Sequence, residues 1–160
     1  MIIIVKRLAM ATALIIAALW FNNTTVFTKN ATEKPIRLLA HRGVHQNYAG
    51  NDRSNDSCQA SPIEKSDHNY MENTLASLRA AFDYGADAVE IDIHLTTDDV
   101  FAIYHDWRLE CKTNGTGVTS KSSYDYLRGL DVAYNYSVDG VSFPFRGSGV
   151  GKITTLTEVL

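Results

Sequence analysis

Two carboxylates stand one residue apart in a segment that predicts a β-strand. Glu90 and Asp92 belong to residues 88–95, where polar and apolar side chains alternate, so both carboxylates are predicted to lie on the same face of the strand. Neighbouring carboxylates in a buried site repel each other unless a cation lies between them. Because oxygen ligands suit Ca²⁺ or Mg²⁺, the pair predicts a site for one of these ions, with a solvated strand face as the alternative.

A histidine is predicted to lie beside this pair. The apolar residues 100–104 predict a second strand that ends at His105, and residues 96–99 predict the turn between the two strands. If that turn is a tight hairpin, Asp92 directly faces His105 and Glu90 lies one step diagonally away, because opposed side chains share a face. Two carboxylates and one imidazole would then meet at one end of the hairpin.

A second histidine, His41, follows a short apolar run, residues 35–40, that also predicts a strand. Two imidazoles beside a divalent ion can cleave a phosphodiester, because one removes the proton of the attacking hydroxyl and the other protonates the leaving alkoxide. Arg42 would hold the phosphate and stabilise its developing charge. On residue types alone, structural or surface histidines are the commoner interpretation of such a pattern.

The elements between these residues predict an α/β unit. Glu72 precedes Asn73 and Thr74, either of which would cap the first turn of a helix, and Gly85 is predicted to end that helix. The apolar face of the helix consists of Leu75, Leu78, Ala81 and Phe82. A strand, a helix and a strand in this order predict two strands joined by a right-handed crossover.

The N-terminus differs in character from the rest of the chain. Lys6 and Arg7 precede residues 8–21, an uncharged and almost wholly apolar run. This run is short for a membrane span but suits the core of a signal peptide. Residues 1–21 are therefore predicted to be a signal peptide or an uncleaved signal anchor, and residues 22–34 a polar linker. We expect a protein that is exported, periplasmic or extracellular, or one that is anchored to the membrane and faces outward.

Charge and cysteine usage narrow the class of protein. A formal net charge of −3, without any run of Lys and Arg, gives no reason to expect nucleic-acid binding. The 45% share of hydrophobic residues is ordinary for a globular protein and argues against disorder. Cys58 and Cys111 could pair if the protein is exported to an oxidising compartment, and two unpaired thiols are an equally supported interpretation.

Five motifs occur in the order that is typical of one enzyme family. They are Leu39-Ala40-His41-Arg42-Gly43, Glu72-Asn73-Thr74-Leu75, residues 85–96, Tyr104-His105-Asp106 and Thr113-Asn114-Gly115-Thr116-Gly117. Together they resemble the glycerophosphodiester phosphodiesterase family, and the resemblance extends over residues 35–160. The combination of motifs is far more specific than any one of them.

The resemblance implies a fold, a reaction and roles for the site residues. It implies a (β/α)₈ TIM-type barrel that hydrolyses a small-molecule glycerophosphodiester to an alcohol and glycerol 3-phosphate, with Ca²⁺ or Mg²⁺ as cofactor. By this similarity, His41 and His105 are the catalytic acid/base pair. Glu90 and Asp92 are ligands of the metal ion. Arg42 is a contact of the substrate phosphate.

Four further residues are expected to have smaller roles. Glu72 is expected near the site, as a supporting metal ligand or as a partner of Arg42. His94 shares the inward face of its strand, where packing or hydrogen bonding is its expected role. His45 and His68 are expected to be solvated polar residues of a loop.

Two features depart from the family pattern. The segment 44–71 is much longer than the few residues usual between the first strand and its helix. It therefore predicts a loop insertion over the site entrance. A closed barrel of this type takes about 250 residues, so residues 35–160 are expected to hold only its first half, without the family's third carboxylate ligand and a lysine. We therefore expect residues 1–160 alone to lack useful activity, unless two copies close the barrel together.

Two alternatives to this hydrolase stay open. One is an inactive truncated fragment, because half a barrel would leave unpaired strand edges. The other is a phospholipase D-like diesterase that acts on lysophospholipids, for which membrane attachment through residues 1–21 would be convenient. Neither the composition nor the motifs predict an oligomeric state.

Overall fold

The structure is a computed structural model that describes residues 2–24, 26, 36–52 and 57–160. The chain divides into two compact units, Met1–Ile36 and Arg37–Leu160. The predicted polar linker lies mostly outside the described residues.

The first unit contains a single long helix among its described residues, α1 (Ile2–Asn23). The helix includes Lys6 and Arg7 as well as the apolar run, and its described side chains are exposed almost throughout. By length and composition, Ile3–Asn23 could cross a membrane, and a signal sequence near an N-terminus meets the same criteria. The choice between signal peptide and signal anchor therefore stays a prediction.

The second unit begins with the predicted α/β arrangement. Strand β1 (Leu39–His41) leads through helix α2 (Leu75–Asp83) to strand β2 (Ala88–Glu90). The two strands pair in parallel, and His41 is opposite Glu90. A parallel pair needs such a crossover, because a tight turn would make the second strand antiparallel to the first. The predicted α/β class is confirmed.

The segment that predicted one strand over residues 88–95 contains two. Strand β3 (Ile93–Leu95) is separated from β2 by Ile91 and Asp92 and belongs to a second sheet. That sheet is antiparallel and has the order β3-β4-β5, with β4 (Phe101–Ile103) in the centre and β5 (Thr154–Thr155) at the other side. Short helices complete the unit, namely a 3₁₀ turn (Thr119–Lys121), α3 (Tyr124–Leu127) and α4 (Leu156–Val159).

The register of the β3–β4 hairpin differs by one residue from the predicted one. Ile93 is opposite Ile103, and beyond this pair the backbone N–H of Tyr104 donates to the carbonyl of Asp92 at 3.0 Å. Asp92 is therefore opposite Tyr104, and the prediction that it faces His105 is wrong.

The turn of the hairpin explains the shift. The backbone N–H of Thr96 donates to the carbonyl of Val100 at 3.0 Å, so three residues, 97–99, form the turn. The last of them, Asp99, has φ of 60°, a left-handed conformation that aspartate tolerates better than most residues. One additional turn residue moves the pairing of the whole strand by one position.

Helix α2 begins where the sequence predicts, but its buried face differs. Thr74 is the N-cap, and its side chain accepts a hydrogen bond from the N–H of Ser77. Ser77 and Ala80 are buried together with Leu78 and Ala81, whereas the side chain of Phe82 is 54% exposed. The buried face consists mainly of small residues because the turn after β1 packs closely against it.

That turn contains two consecutive residues with positive φ, Arg42 at 63° and Gly43 at 78°. The carbonyl of Arg42 accepts from the hydroxyl of Ser77 at 3.2 Å, and the N–H of Val44 donates to the carbonyl of Ser77 at 3.3 Å. A Cβ at position 43 would lie 2.2 Å from Oγ of Ser77 and 2.9 Å from its carbonyl carbon. Only glycine allows this approach.

Three residues of the segment 44–71, which was predicted to be an insertion and is called the insertion below, belong to the hydrophobic core. Ala60, Ile63 and Met71 are fully buried within the main cluster of apolar side chains. The N–H of Ile63 donates to the carbonyl of Ser137, and the N–H of Ser137 donates to the carbonyl of Ala60, each at 2.9 Å. The insertion is therefore packed into the unit rather than only covering its surface.

A disulfide also fixes the insertion. Cys58 is bonded to Cys111, six residues after His105, with the two Cα atoms 5.3 Å apart. Of the two interpretations that the sequence left open, paired cysteines and two free thiols, the structure has the pair.

We expect Gly43→Ala to lower the free energy of unfolding by about 2 kcal/mol or more, because the strain of a positive φ is joined by overlap with Ser77. Gly85→Ala is the matched control, since Gly85 has φ of 91° but no atom within 4 Å of an added Cβ. Gly85→Ala should lower the free energy of unfolding by about 1 kcal/mol. Urea unfolding followed by circular dichroism measures both, and equal losses would contradict the packing argument.

We expect the protein purified without reductant from an oxidising compartment to contain no free thiol. Alkylation before reduction should leave its mass unchanged, and alkylation after reduction should add two groups. Mass spectrometry distinguishes the two cases, and two modified cysteines before reduction would contradict the disulfide.

Candidate active site

His41 and Glu90 are the last residues of the parallel strands β1 and β2 and lie at the same edge of the sheet. Nε2 of His41 is 3.8 Å from Oε2 of Glu90. This Glu90 oxygen is buried and has no hydrogen-bond partner among the described residues. An unpartnered buried carboxylate oxygen is costly, so the position suits a ligand atom of a cation.

Arg42 lies between two carboxylates. Its Nε is 3.1 Å from Oδ2 of Asp92, and its Nη1 is 3.5 Å from Oε2 of Glu72. Contact with Arg42 is one of the two roles expected for Glu72. Two carboxylates restrict the guanidinium to one plane, which leaves its other donors available for a substrate anion.

Asp92 is held in place by Asn73. Nδ2 of Asn73 donates to Oδ2 of Asp92 at 2.9 Å, and Oδ1 of Asn73 accepts from the backbone N–H of Asp92 at 3.1 Å. Asn73 itself has φ of 56°, and its N–H donates to the carbonyl of Arg42 at 3.0 Å. The start of α2 thus connects the turn after β1 with the loop after β2.

His105 belongs to a second group of charges. Its Nδ1 is 2.6 Å from Oδ1 of Asp106. Nζ of Lys112 is 2.8 Å from the same Asp106 oxygen and 2.7 Å from Oε1 of Glu72. Glu72 therefore contacts Arg42 with one oxygen and Lys112 with the other.

Burial and charge shift the pKa values of several groups here. Burial raises the pKa of the Asp106 carboxyl, but the hydrogen bond from His105 and the Lys112 ammonium outweigh it, and the net pKa is lowered. Burial raises the pKa of Tyr104 well above its usual value, and the negative charges of Asp106 and Glu72 add to this rise. Asp106 is therefore a stable anion, and Tyr104 stays protonated.

Two cavities are lined by four of the six candidate site residues, whereas Glu90 and Asp92 line neither of the two. A cavity of about 430 Å³ is lined by His41, Arg42, Glu72 and Tyr136, and by residues of the insertion. A second cavity, of about 260 Å³, is lined by His105, Asp106 and Trp107 and by both disulfide cysteines. His41 and His105 line different cavities of these two. Gln59 lines both cavities, and Glu72 contacts charged groups on both sides.

The remaining histidines have structural contacts. His94 is buried, its Nε2 is 3.2 Å from the carbonyl of His105, and its ring packs edge-on against Trp107, which confirms packing and hydrogen bonding as its role. His68 is not simply solvated, because its Nδ1 is 3.2 Å from Nε2 of the buried Gln46. His45 lies at the larger cavity, with its ring 6.4 Å from that of His41.

Three residues of the site were not predicted from the sequence, namely Asn73 as the partner of Asp92, Asp106 as the partner of His105, and Lys112. Asp106 directly follows a predicted strand and a histidine, which is a usable signal. A buried lysine in a polar segment has no such signal, since its partners come from distant parts of the chain.

The residues present can accommodate a divalent cation. Among the described residues, Glu72, His105 and Asp106 form a candidate metal-binding triad with ligand atoms within 4.8 Å of one another. Lys112 already contacts two of these carboxylates. The unpartnered Glu90 oxygen is an alternative ligand that does not compete with an ammonium.

The chain is similar to known proteins both in sequence and in structure. The model of the Glycerophosphoryl diester phosphodiesterase family matches residues 41–160. A glycerophosphodiester phosphodiesterase from Bacillus altitudinis is 33% identical over 92 residues, which are 58% of this chain and 34% of that protein. Glycerophosphodiester phosphodiesterase 1 from Homo sapiens is 36% identical over 93 residues, 58% of this chain and 26% of that protein. The matched region thus spans about a third or less of these relatives.

A solved structure shares the fold. It is the glycerophosphoryl diester phosphodiesterase domain of an uncharacterized protein from Mycobacterium tuberculosis, with a TM-score of 0.57 and 20% sequence identity. The similarity covers 79% of this chain and 39% of that one.

Proposed function

Because the chain belongs to the glycerophosphoryl diester phosphodiesterase family, we propose that its site hydrolyses glycerophosphodiesters to an alcohol and glycerol 3-phosphate. The observation that carries the proposal is the position of Arg42. Its guanidinium is fixed by Asp92 and Glu72 at the wall of a cavity that His41 also lines. A fixed guanidinium beside an imidazole can bind a phosphate and move a proton at one of its oxygens.

His41 and His105 are the proposed acid/base pair. Asp106 holds Nδ1 of His105 at 2.6 Å, which leaves Nε2 as the atom that can transfer a proton. His41 is exposed, and its Nε2 faces Glu90. One histidine would remove a proton from the attacking hydroxyl, and the other would protonate the leaving alkoxide.

Ca²⁺ or Mg²⁺ is the proposed cofactor, held by Glu90 and Asp92 with Glu72 as a supporting ligand. When bound, such an ion supplies positive charge beside the phosphate and polarises it. The unpartnered Glu90 oxygen supports this assignment. Oδ2 of Asp92 is taken by Asn73 and Arg42, so Oδ1 is the oxygen that would face the ion.

The cavity supports a small polar alcohol as the leaving group. None of its lining residues has an aliphatic side chain, and those from the insertion are His45, Gln46, Asn47, Tyr48, Gln59 and Glu64. An acyl chain requires apolar walls. The lysophospholipid alternative is therefore less supported than a deacylated glycerophosphodiester.

A fold and a cellular location are proposed together with this function. Residues 35–160 would form the first half of a (β/α)₈ barrel, to which the parallel β1–β2 pair would belong. The protein would be exported or membrane-anchored and face outward. The Cys58–Cys111 disulfide supports this location, because disulfides persist in oxidising compartments.

In the protein with a completed barrel, we expect His41→Ala and His105→Ala each to lower kcat/KM for glycerophosphocholine by about 10²–10⁴-fold, the usual loss for a positioned acid or base. A coupled assay for glycerol 3-phosphate measures this. Thermal unfolding of each variant is the control for folding. Near-normal turnover by either folded variant would remove that histidine from the mechanism, and no turnover by the unmodified protein would favour the inactive alternative.

We expect chelation to abolish turnover and added Ca²⁺ or Mg²⁺ to restore it. Calorimetric titration with Ca²⁺ should show binding that Glu90→Gln weakens by about tenfold or more, since a charged ligand is lost. Glu64→Gln, which removes an exposed carboxylate of the cavity rim, is the control. Equal Ca²⁺ affinity in the Glu90 variant and in the control would contradict the assigned site.

A further inference from the structure

Lys112 is a charged residue with only 2% of its surface exposed. An ammonium group is costly to bury unless it is paired and hydrogen-bonded. Nζ of Lys112 meets this requirement with Oε1 of Glu72 at 2.7 Å and Oδ1 of Asp106 at 2.8 Å. These distances are those of charge-assisted hydrogen bonds.

Both partners of Lys112 contact a proposed functional side chain. Oε2 of Glu72 is 3.5 Å from Nη1 of Arg42. Oδ1 of Asp106, the oxygen that Lys112 contacts, also accepts from Nδ1 of His105 at 2.6 Å. One buried ammonium thus lies between the residue that would hold the phosphate and a residue that would transfer a proton.

The main chain around Lys112 is held as firmly as its side chain. The carbonyl of Lys112 accepts from the N–H of Asn135 at 3.3 Å. Nδ2 of Asn135 donates to the carbonyls of Glu110 and Thr113 at 2.9 and 3.1 Å. Cys111, which directly precedes Lys112, is joined to Cys58 by the disulfide. The ammonium is therefore presented from a fixed backbone rather than from a mobile loop.

We propose that Lys112 is a positioning residue of this site, which rests on the proposed function. It fixes Asp106, and through Asp106 the imidazole of His105, and it fixes Glu72, and through Glu72 the guanidinium of Arg42. Lys112 touches neither substrate nor reacting atoms in this role. Its Nζ also contacts two members of the candidate triad, Glu72 and Asp106.

A simple removal of Lys112 is a poor test. Lys112→Met alone leaves Glu72 and Asp106 as neighbouring anions without their shared cation, and the variant can fail to fold. Glu72→Gln/Lys112→Met removes one charge of each sign, so Asp106 is not left beside a second anion that has lost its cation. Comparison with Glu72→Gln alone isolates what Lys112 does through Asp106. Lys121→Met, at an exposed lysine of the 3₁₀ turn, is the matched control.

The first measurement does not depend on activity. In protein labelled with ¹⁵N-histidine, the Nδ1 proton of His105 should be visible by NMR in the unmodified protein, in Glu72→Gln and in Lys121→Met, because Asp106 holds it. It should be lost to solvent exchange in Glu72→Gln/Lys112→Met. The second measurement is turnover, where kcat should fall by about 10²-fold relative to Glu72→Gln, with little change in KM.

Three results would overturn the proposal. One is an unchanged His105 signal in the double variant, and another is an unchanged kcat relative to Glu72→Gln. Loss of the signal together with a matching loss of thermal stability would also overturn it, since Lys112 would then serve folding alone. If the signal is lost at constant stability but the unmodified protein hydrolyses no glycerophosphodiester, the positioning role stands and the proposed function fails.

Discussion

The site depends on how the chain enters helix α2, because three consecutive residues there join otherwise separate segments. Glu72 contacts Arg42 of the turn after β1 and Lys112 of the segment after β4. Asn73 adopts a left-handed conformation and binds both the backbone and the side chain of Asp92. Thr74 caps the helix and so fixes the direction of the other two. If the start of α2 moved, Glu72 would no longer contact both Arg42 and Lys112.

Most charged side chains of the site have a partner of opposite charge, and Glu90 differs from the others. Arg42 is matched by Glu72 and Asp92, and Lys112 by Glu72 and Asp106. Such pairs tolerate burial because each charge has a hydrogen-bonded partner. Glu90 differs, because its buried Oε2 lacks a hydrogen-bond partner among the described residues, as Oε2 of Glu110 does outside the site. Of the proposed metal ligands, Glu90 is the one without a lysine or arginine partner among the described residues.

The sequence predicts the local elements well and their long-range contacts poorly. The cap at Thr74 acts within a few residues, and helix α2 begins where it was predicted. The alternation in residues 88–95 predicted one strand, where the structure has two that belong to different sheets. The hairpin register is shifted because Asp99 adopts a backbone conformation that its residue type permits but does not require. The burial of Lys112 and the packing of Ile63 could not be predicted, since their partners are distant in sequence.

The Cys58–Cys111 bond closes a covalent ring with a sequence separation of 53 residues. Glu72, Glu90, Asp92 and His105 all lie inside this ring, whereas His41 and Arg42 lie outside it. The hairpin turn at residues 97–99 is exposed and is also inside the ring. A peptidase that cuts this turn would therefore produce two fragments that stay attached, and the nicked chain would keep the intact molecule's size until a reducing agent separated them.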